Sequence, residues 1–220
     1  MVEVAHASGF SSLRRFNDAF KRQMALTPTE IRRRRSRKSA ALTLKLAYRP
    51  PYQWERLRHF HALHAIEGLE WVGEHMLGRT IRHGTTTGHF EARHDARRHQ
   101  FDVTLVLSEL GDLHAIVRRI RRMLDLDADT QTIEAHLRQS VPALPLAEGL
   151  RLPGSWDVFE AGIRAVLGQQ VSMAAANRLI QQLVDRLGES DEEGRRRFPT
   201  AEAIAARVRS ARSASSSEFA

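Results

Sequence analysis

Between residues 42 and 48 apolar and polar side chains alternate, with Leu42, Leu44, Leu46 and Tyr48 in one register and Thr43, Lys45 and Ala47 in the other. A period of two is that of a strand buried on one face. Pro50-Pro51 ends it, and a helix is expected from about Trp54 to Ile66. Strand-like runs follow at Leu69–Val72, Met76–Arg82 and His89–Arg93, separated by glycines, and Phe101, Val103, Leu105 and Leu107 alternate once more. Then the period lengthens. Leu113, Ile116, Val117, Ile120, Met123 and Leu124 form a helical stripe, with Arg118, Arg119, Arg121 and Arg122 off it. A shorter helix near 130–139 precedes Pro142 and Pro145, where a boundary is expected.

From Leu150 onward the pattern reads as helical throughout. Trp156, Phe159, Ile163, Val166 and Leu167 make one stripe, Gly168-Gln169-Gln170 interrupts, and Ala176, Leu179, Ile180, Leu183, Val184 and Leu187 make another, closed by Gly188. Phe198-Pro199-Thr200 opens a last helix. The Ser-rich residues 211–220 are expected to be a disordered tail.

The first forty residues have a different character. Val2–Ala7 reads as a short helix and Ser8-Gly9-Phe10-Ser11 as a turn. A second helix follows, from about Ser12 to Met24, with Leu13, Phe16, Phe20 and Met24 on one face. Thr27-Pro28-Thr29-Glu30 is a capping box with Pro at the first helical position, and residues 36–41 read as a linker. Residues 1–38 hold ten basic and three acidic side chains, a net +7 out of +8 for the whole chain. Such a concentration suits phosphate neutralisation, which makes double-stranded DNA the expected partner. A solvated basic face is the plainer alternative.

Composition narrows the chemistry. The chain has 220 residues, enough for one large domain or two small ones, and 42% hydrophobic residues, enough for a core. It contains no Cys, hence no disulfide, thiol nucleophile or Cys-held metal of its own. It has no run of eighteen apolar residues and no visible secretory signal, so a cytoplasmic location away from membranes is expected. His59, His61 and His64 invite a metal reading, but only His61 and His64 share a helix face and no carboxylate partner is evident. Asp125, Asp127 and Asp129 imitate a calcium loop, yet Thr130 and His136 stand where Gly and Glu are needed. No nucleotide-binding fingerprint occurs. Neither metal nor cofactor is expected.

Two stretches resemble known families. Val4-Ala5, Gly9-Phe10, Phe16, Phe20, Thr27-Pro28 and Arg32-Arg33 fall where the second helix-turn-helix of AraC/XylS-type regulators places such residues, with Met24 and Ala25 departing from the usual Phe and Gly. That resemblance implies DNA contacts from Ser11, Ser12, Arg14, Arg15, Lys21, Arg22, Arg32 and Arg33, through a helix in the major groove. The tandem partner unit of that family has no counterpart here.

Residues 42–205 resemble the AlkA-type 3-methyladenine DNA glycosylases II. The resemblance rests on Pro50-Pro51-Tyr52 with Trp54, on Arg121–Leu126, on Gly149–Gly154, on Asp157–Ala161 and on Arg164–Ser172. An AraC-like unit directly ahead is similar to Ada–AlkA fusion proteins. The resemblance implies an α+β fold in three pieces. A partial helix-turn-helix would span 1–38, a TATA-binding-protein-like antiparallel sheet domain 41–145, and part of the helical helix–hairpin–helix glycosylase domain 148–210.

It also implies Phe60 as a wall of the base pocket, and Gln169 with Gln170 as the wedge that fills the vacated stack, though the second position is often Leu in the family. The family's catalytic Asp, downstream of its hairpin, has no match, and Asp157, Glu160 and Asp185 read as solvated helix positions. The expectation is therefore a DNA-repair protein of the base-excision type, a truncated hydrolase without a catalytic residue and inactive alone. It would be prone to self-association through helices whose apolar faces lack partners. The alternative is a sequence-specific transcription regulator of the AraC type.

Overall fold

The computed structural model describes residues 41–217, together with Ser12, Arg14 and Asp18. Ser12 is half-buried, and Arg14 is helical and exposed. The other proposed DNA contacts, Ser11, Arg15, Lys21, Arg22, Arg32 and Arg33, lie outside the described residues.

The alternating segments form one antiparallel sheet. Its strands are β1 (Leu42–Ala47), β2 (Glu70–Val72), β3 (Met76–His83), β4 (Thr86–Asp95) and β5 (Gln100–Leu107), in the order β1-β5-β4-β3-β2. Register follows the hydrophobic pattern, since a slip by one residue would turn every buried side chain outward. Leu42 faces Leu105, Leu44 faces Val103 and Leu46 faces Phe101, all of them buried.

Two helices cover that inner face, α1 (Trp54–His64) and α2 (Leu113–Met123). The α2 stripe of Leu113, Ile116, Val117, Ile120 and Met123 is buried against the sheet, together with Trp54 and Leu57 of α1. Its arginines lie off that stripe, as the periodicity predicts. A third helix, α3 (Thr130–Ser140), is capped by the Asp129 carboxylate, which accepts from the Thr132 N–H.

The region after 150 departs from a continuous helical reading. Residues 150–157 run without helix, because Pro153 and Gly154 cannot sustain one. Arg151 pins this return segment. Its guanidinium donates to the carbonyls of Asp125, Ala128, Arg49 and Pro51 and lies over the Tyr52 ring. Gly149, at φ +71, passes so close to Pro51 and Tyr52 that a Cβ would lie 2.8 Å from the Pro51 carbonyl carbon. Trp156 belongs to no helical stripe. It is buried in the sheet core with its ring stacked on Phe90 at 5.8 Å.

Helices resume at α4 (Val158–Leu167), α5 (Met173–Leu187) and α6 (Ala201–Ser217). Asp157 caps α4 by accepting from the Phe159 and Glu160 N–H groups, and Ser172 caps α5. Ile180 and Val184 of α5 pack on Ile66 and Leu69, the loop joining α1 to β2, and tie the helices to the sheet. Outward, Val158, Val166, Met173 and Leu179 remain exposed. Residues 188–200 are irregular except for a bridge between Ser190 and Arg196. Helix α6 continues through 211–217, most of the segment expected as a disordered tail; Ala and Arg there favour helix, and no Gly or Pro breaks it. Among the described residues no helix is long and apolar enough to cross a membrane.

Candidate functional site

A cavity of about 240 Å³ opens where α1, the sheet edge and α4 meet. One wall comes from α1, whose helical spacing puts Phe60, His61 and His64 on one side. Phe60 is 41% exposed, which leaves its ring at the mouth. His64 lies against it with centroids 4.2 Å apart, and its Nδ1–H donates to the Phe60 carbonyl at 2.7 Å. Met123 and Pro153–Trp156 complete the lining, so the return segment held by Arg151 forms part of the wall.

Four alternating charges lie beneath. Arg79 of β3 donates to Glu70 of β2 at 3.1 Å and to Glu160 of α4 at 2.7 Å. Arg164, one turn beyond Glu160, reaches Glu160 at 2.8 Å and Glu70 at 2.9 Å. Arg164 also donates to the His64 carbonyl, and Arg79 to that of Thr80. Two carboxylates and two guanidiniums cancel, so the quartet is neutral. Burial pushes the Glu160 carboxyl up, but Arg79 and Arg164 outweigh it and hold the group below the usual value for Glu. Burial likewise opposes charge on Arg164, and Glu70 and Glu160 more than restore it.

Trp156 sits beside this quartet, with the Arg79 guanidinium 5.2 Å and the Arg119 guanidinium 5.8 Å from its ring centroid. Arg119 also pairs with Asp157 at 3.0 Å. Burial pushes the Asp157 carboxyl up, yet hydrogen bonds from the Glu160 N–H, Arg119 and the Phe159 N–H bring it below its ordinary range. His61 is dominated by burial, which pulls its pKa down to about 4 despite a hydrogen bond to the Met123 backbone. Its Nε2 is shielded and has no hydrogen-bond partner among the described residues.

These observations correct the reading of Asp157 and Glu160 as solvated. Glu160 is 5% exposed, and Asp157 is tied to its own helix and to Arg119. Asp185 does lie exposed, accepting from Gln181. Phe60 stands at the cavity mouth, whereas Gln169 and Gln170 do not line it. Both are exposed in the turn after α4, where Gln170 adopts φ 59. His59 points outward, and among the described residues no group of three or more His, Asp or Glu could hold a metal. Sequence reasoning missed Arg79 and Glu70. The one local signal was an arginine in the middle of a strand, between Leu77 and Ile81.

The AlkA N-terminal domain family matches residues 43–157. The chain is 35% identical over 199 residues to a probable bifunctional transcriptional activator/DNA repair enzyme AlkA of Mycobacterium tuberculosis (strain H37Rv), covering 84% of this chain and 39% of the relative. It is 32% identical over 163 residues to DNA-3-methyladenine glycosylase 2 of Escherichia coli (strain K12), covering 73% of this chain and 57% of that protein. A solved 3-methyladenine DNA glycosylase from Archaeoglobus fulgidus has the same fold, with TM-score 0.53 at 24% identity over 73% of this chain and 57% of its own. The chain thus spans well under two thirds of each curated relative it matches. With the sheet, the α1 cavity wall and the return segment all inside the matched span, the chain belongs to the AlkA N-terminal domain family.

Proposed function

We propose that this chain is the damage-admitting part of an alkylbase DNA glycosylase. It takes an alkylated base swung out of the duplex into the cavity beside Phe60, and it does not by itself cleave the glycosidic bond. The observation that carries this reading is the cavity's make-up. Aromatic rings line it, and each carboxylate in its lining is already neutralised by arginine. An electron-poor alkylated base gains from stacking on such rings, and that gain offsets roughly a few kcal/mol lost in unstacking.

Cleavage needs a carboxylate that faces the sugar as positive charge develops there. Glu70 and Glu160 are locked between two guanidiniums, and Asp157 caps its helix. Turning Glu70 or Glu160 toward a sugar would leave the Arg79 and Arg164 guanidiniums facing a single carboxylate, and turning Asp157 would uncap α4. The turn Gln169-Gln170, exposed at the end of α4, is suited to enter the duplex and fill the gap by hydrogen bonding.

The basic segment 1–38, with its net +7, supports a second role in the same chain as a DNA-binding regulator. The Mycobacterium tuberculosis relative's name joins the same two roles. A single assay separates repair activity from regulation. Duplex carrying one 3-methyladenine or hypoxanthine is incubated with the full chain and then cleaved at abasic sites. The expected product equals the no-enzyme control. Excess product that disappears in Phe60→Ala would overturn the non-catalytic reading.

A further inference from the structure

We propose that a second cavity, which shares Arg79, Trp156 and Glu160 with the first, binds a phosphate group through Arg82, Arg119 and His83. This cavity measures about 210 Å³ and opens between the end of β3, α2 and the Phe198–Thr200 segment. Arg82 and His83 line it from β3, Arg119 from α2 and Phe159 from α4. The site does not depend on the cavity beside Phe60 taking a base.

The lining holds two carboxylates, and both are already engaged. Glu160 belongs to the neutral quartet, and Asp157 caps α4 and pairs with Arg119. Arg119 spends Nη1 on that pair and on the Trp156 carbonyl, which keeps its Nε–H and Nη2–H groups for another acceptor. Arg82 lies 2.6 Å from Glu189, but that side chain is 61% exposed and also lies 3.8 Å from Arg197. One solvated carboxylate thus serves two guanidiniums. The Nε atoms of Arg82 and Arg197 are shielded and have no hydrogen-bond partner among the described residues. Shielded donors without acceptors are costly, and an anion on the Arg82 guanidinium balances charge that Glu189 balances only in part. The forked N–H groups of two arginines match the oxygen spacing of phosphate, and the His83 ring offers an N–H in either tautomer. Trp156, Phe159 and Phe198 border the same space, and their rings limit competition from water.

The test titrates the ¹⁵N-labelled full chain with inorganic phosphate at constant ionic strength, following the amides of His83, Gly84 and Thr200 and the Arg82 Nε–H by NMR. Saturable shifts are expected at these positions. Arg82→Gln should weaken them at least about fivefold, and Arg119→Gln in the same direction. Arg56→Gln removes an equal charge from α1 and should change nothing, as should Phe60→Ala. Urea melts confirm that each variant is folded. A second arm replaces phosphate by undamaged duplex DNA. If duplex moves the same amides and phosphate displaces it, the site holds a backbone phosphate; if phosphate alone moves them, it holds a free phosphate or phosphomonoester. Shifts that chloride reproduces, that fail to saturate, or that survive unchanged in Arg82→Gln would overturn the site.

Discussion

Arg79 and Glu160, separated by 81 positions in the chain, meet at 2.7 Å, one from the middle of β3 and the other from the first turn of α4. Their contact joins the sheet to the helical region, and Glu70 and Arg164 close the ring around it.

Replacing one member should therefore do more damage than a surface salt bridge would. Glu160→Gln leaves two guanidiniums facing a single carboxylate in a buried site. The expected loss is about 3–5 kcal/mol, measured by urea unfolding, because the uncompensated charge remains desolvated. Amide exchange should quicken first across 158–167, the helix this quartet anchors. A loss below about 1 kcal/mol, the range of exposed pairs, would show that the quartet is solvated.

His61 gives the fold an acid sensitivity of known sign. Unfolded, it titrates near 6.5; folded, burial lowers it to about 4. Below pH 6.5 the unfolded chain takes up a proton that the folded chain refuses, so stability falls as pH drops from about 6.5 to about 4. The loss from this residue approaches about 3 kcal/mol. His94, also lowered by burial, acts in the same direction, so the slope will not vanish when His61 is removed. His61→Leu should flatten the stability profile in that window, and an unchanged slope would exclude His61 as its source.

Duplex affinity should depend on the basic segment. Converting Arg32, Arg33, Arg34 and Arg35 to Gln removes four of the ten cations in residues 1–38. In filter binding, log affinity against log salt should lose a slope of up to about 0.9 per phosphate contact removed. An identical slope would place the phosphate contacts elsewhere.

The elements legible in the sequence are those whose burial is periodic. The alternation at Leu42–Leu46 and Phe101–Leu107 gave strands with the expected inner faces, and the α2 stripe was found residue by residue. Phe60 was singled out by resemblance, and it stands at the cavity mouth. Trp156 was misassigned because its spacing from Phe159 and Ile163 imitates a helix that begins only at Val158. The quartet was invisible for a different reason. Charged residues are usually solvated, and the partners that overturn that default for Glu160 and Arg164 lie 81 and 94 positions away.

The Arg151 anchor has a kinetic consequence. Its carbonyl partners include Arg49 and Pro51, 102 and 100 positions earlier, and Arg164 reaches back 94 positions to Glu70. Contacts of such sequence separation form only after a long loop closes, which slows folding. During synthesis the sheet leaves the ribosome first. Arg79 and Glu70 then wait for Glu160 and Arg164, and the backbone carbonyls at 49 and 51 for Arg151, until the ribosome has made the return segment and α4. The cavity is thus among the last features to mature, and its electrostatic floor is completed in the order of translation.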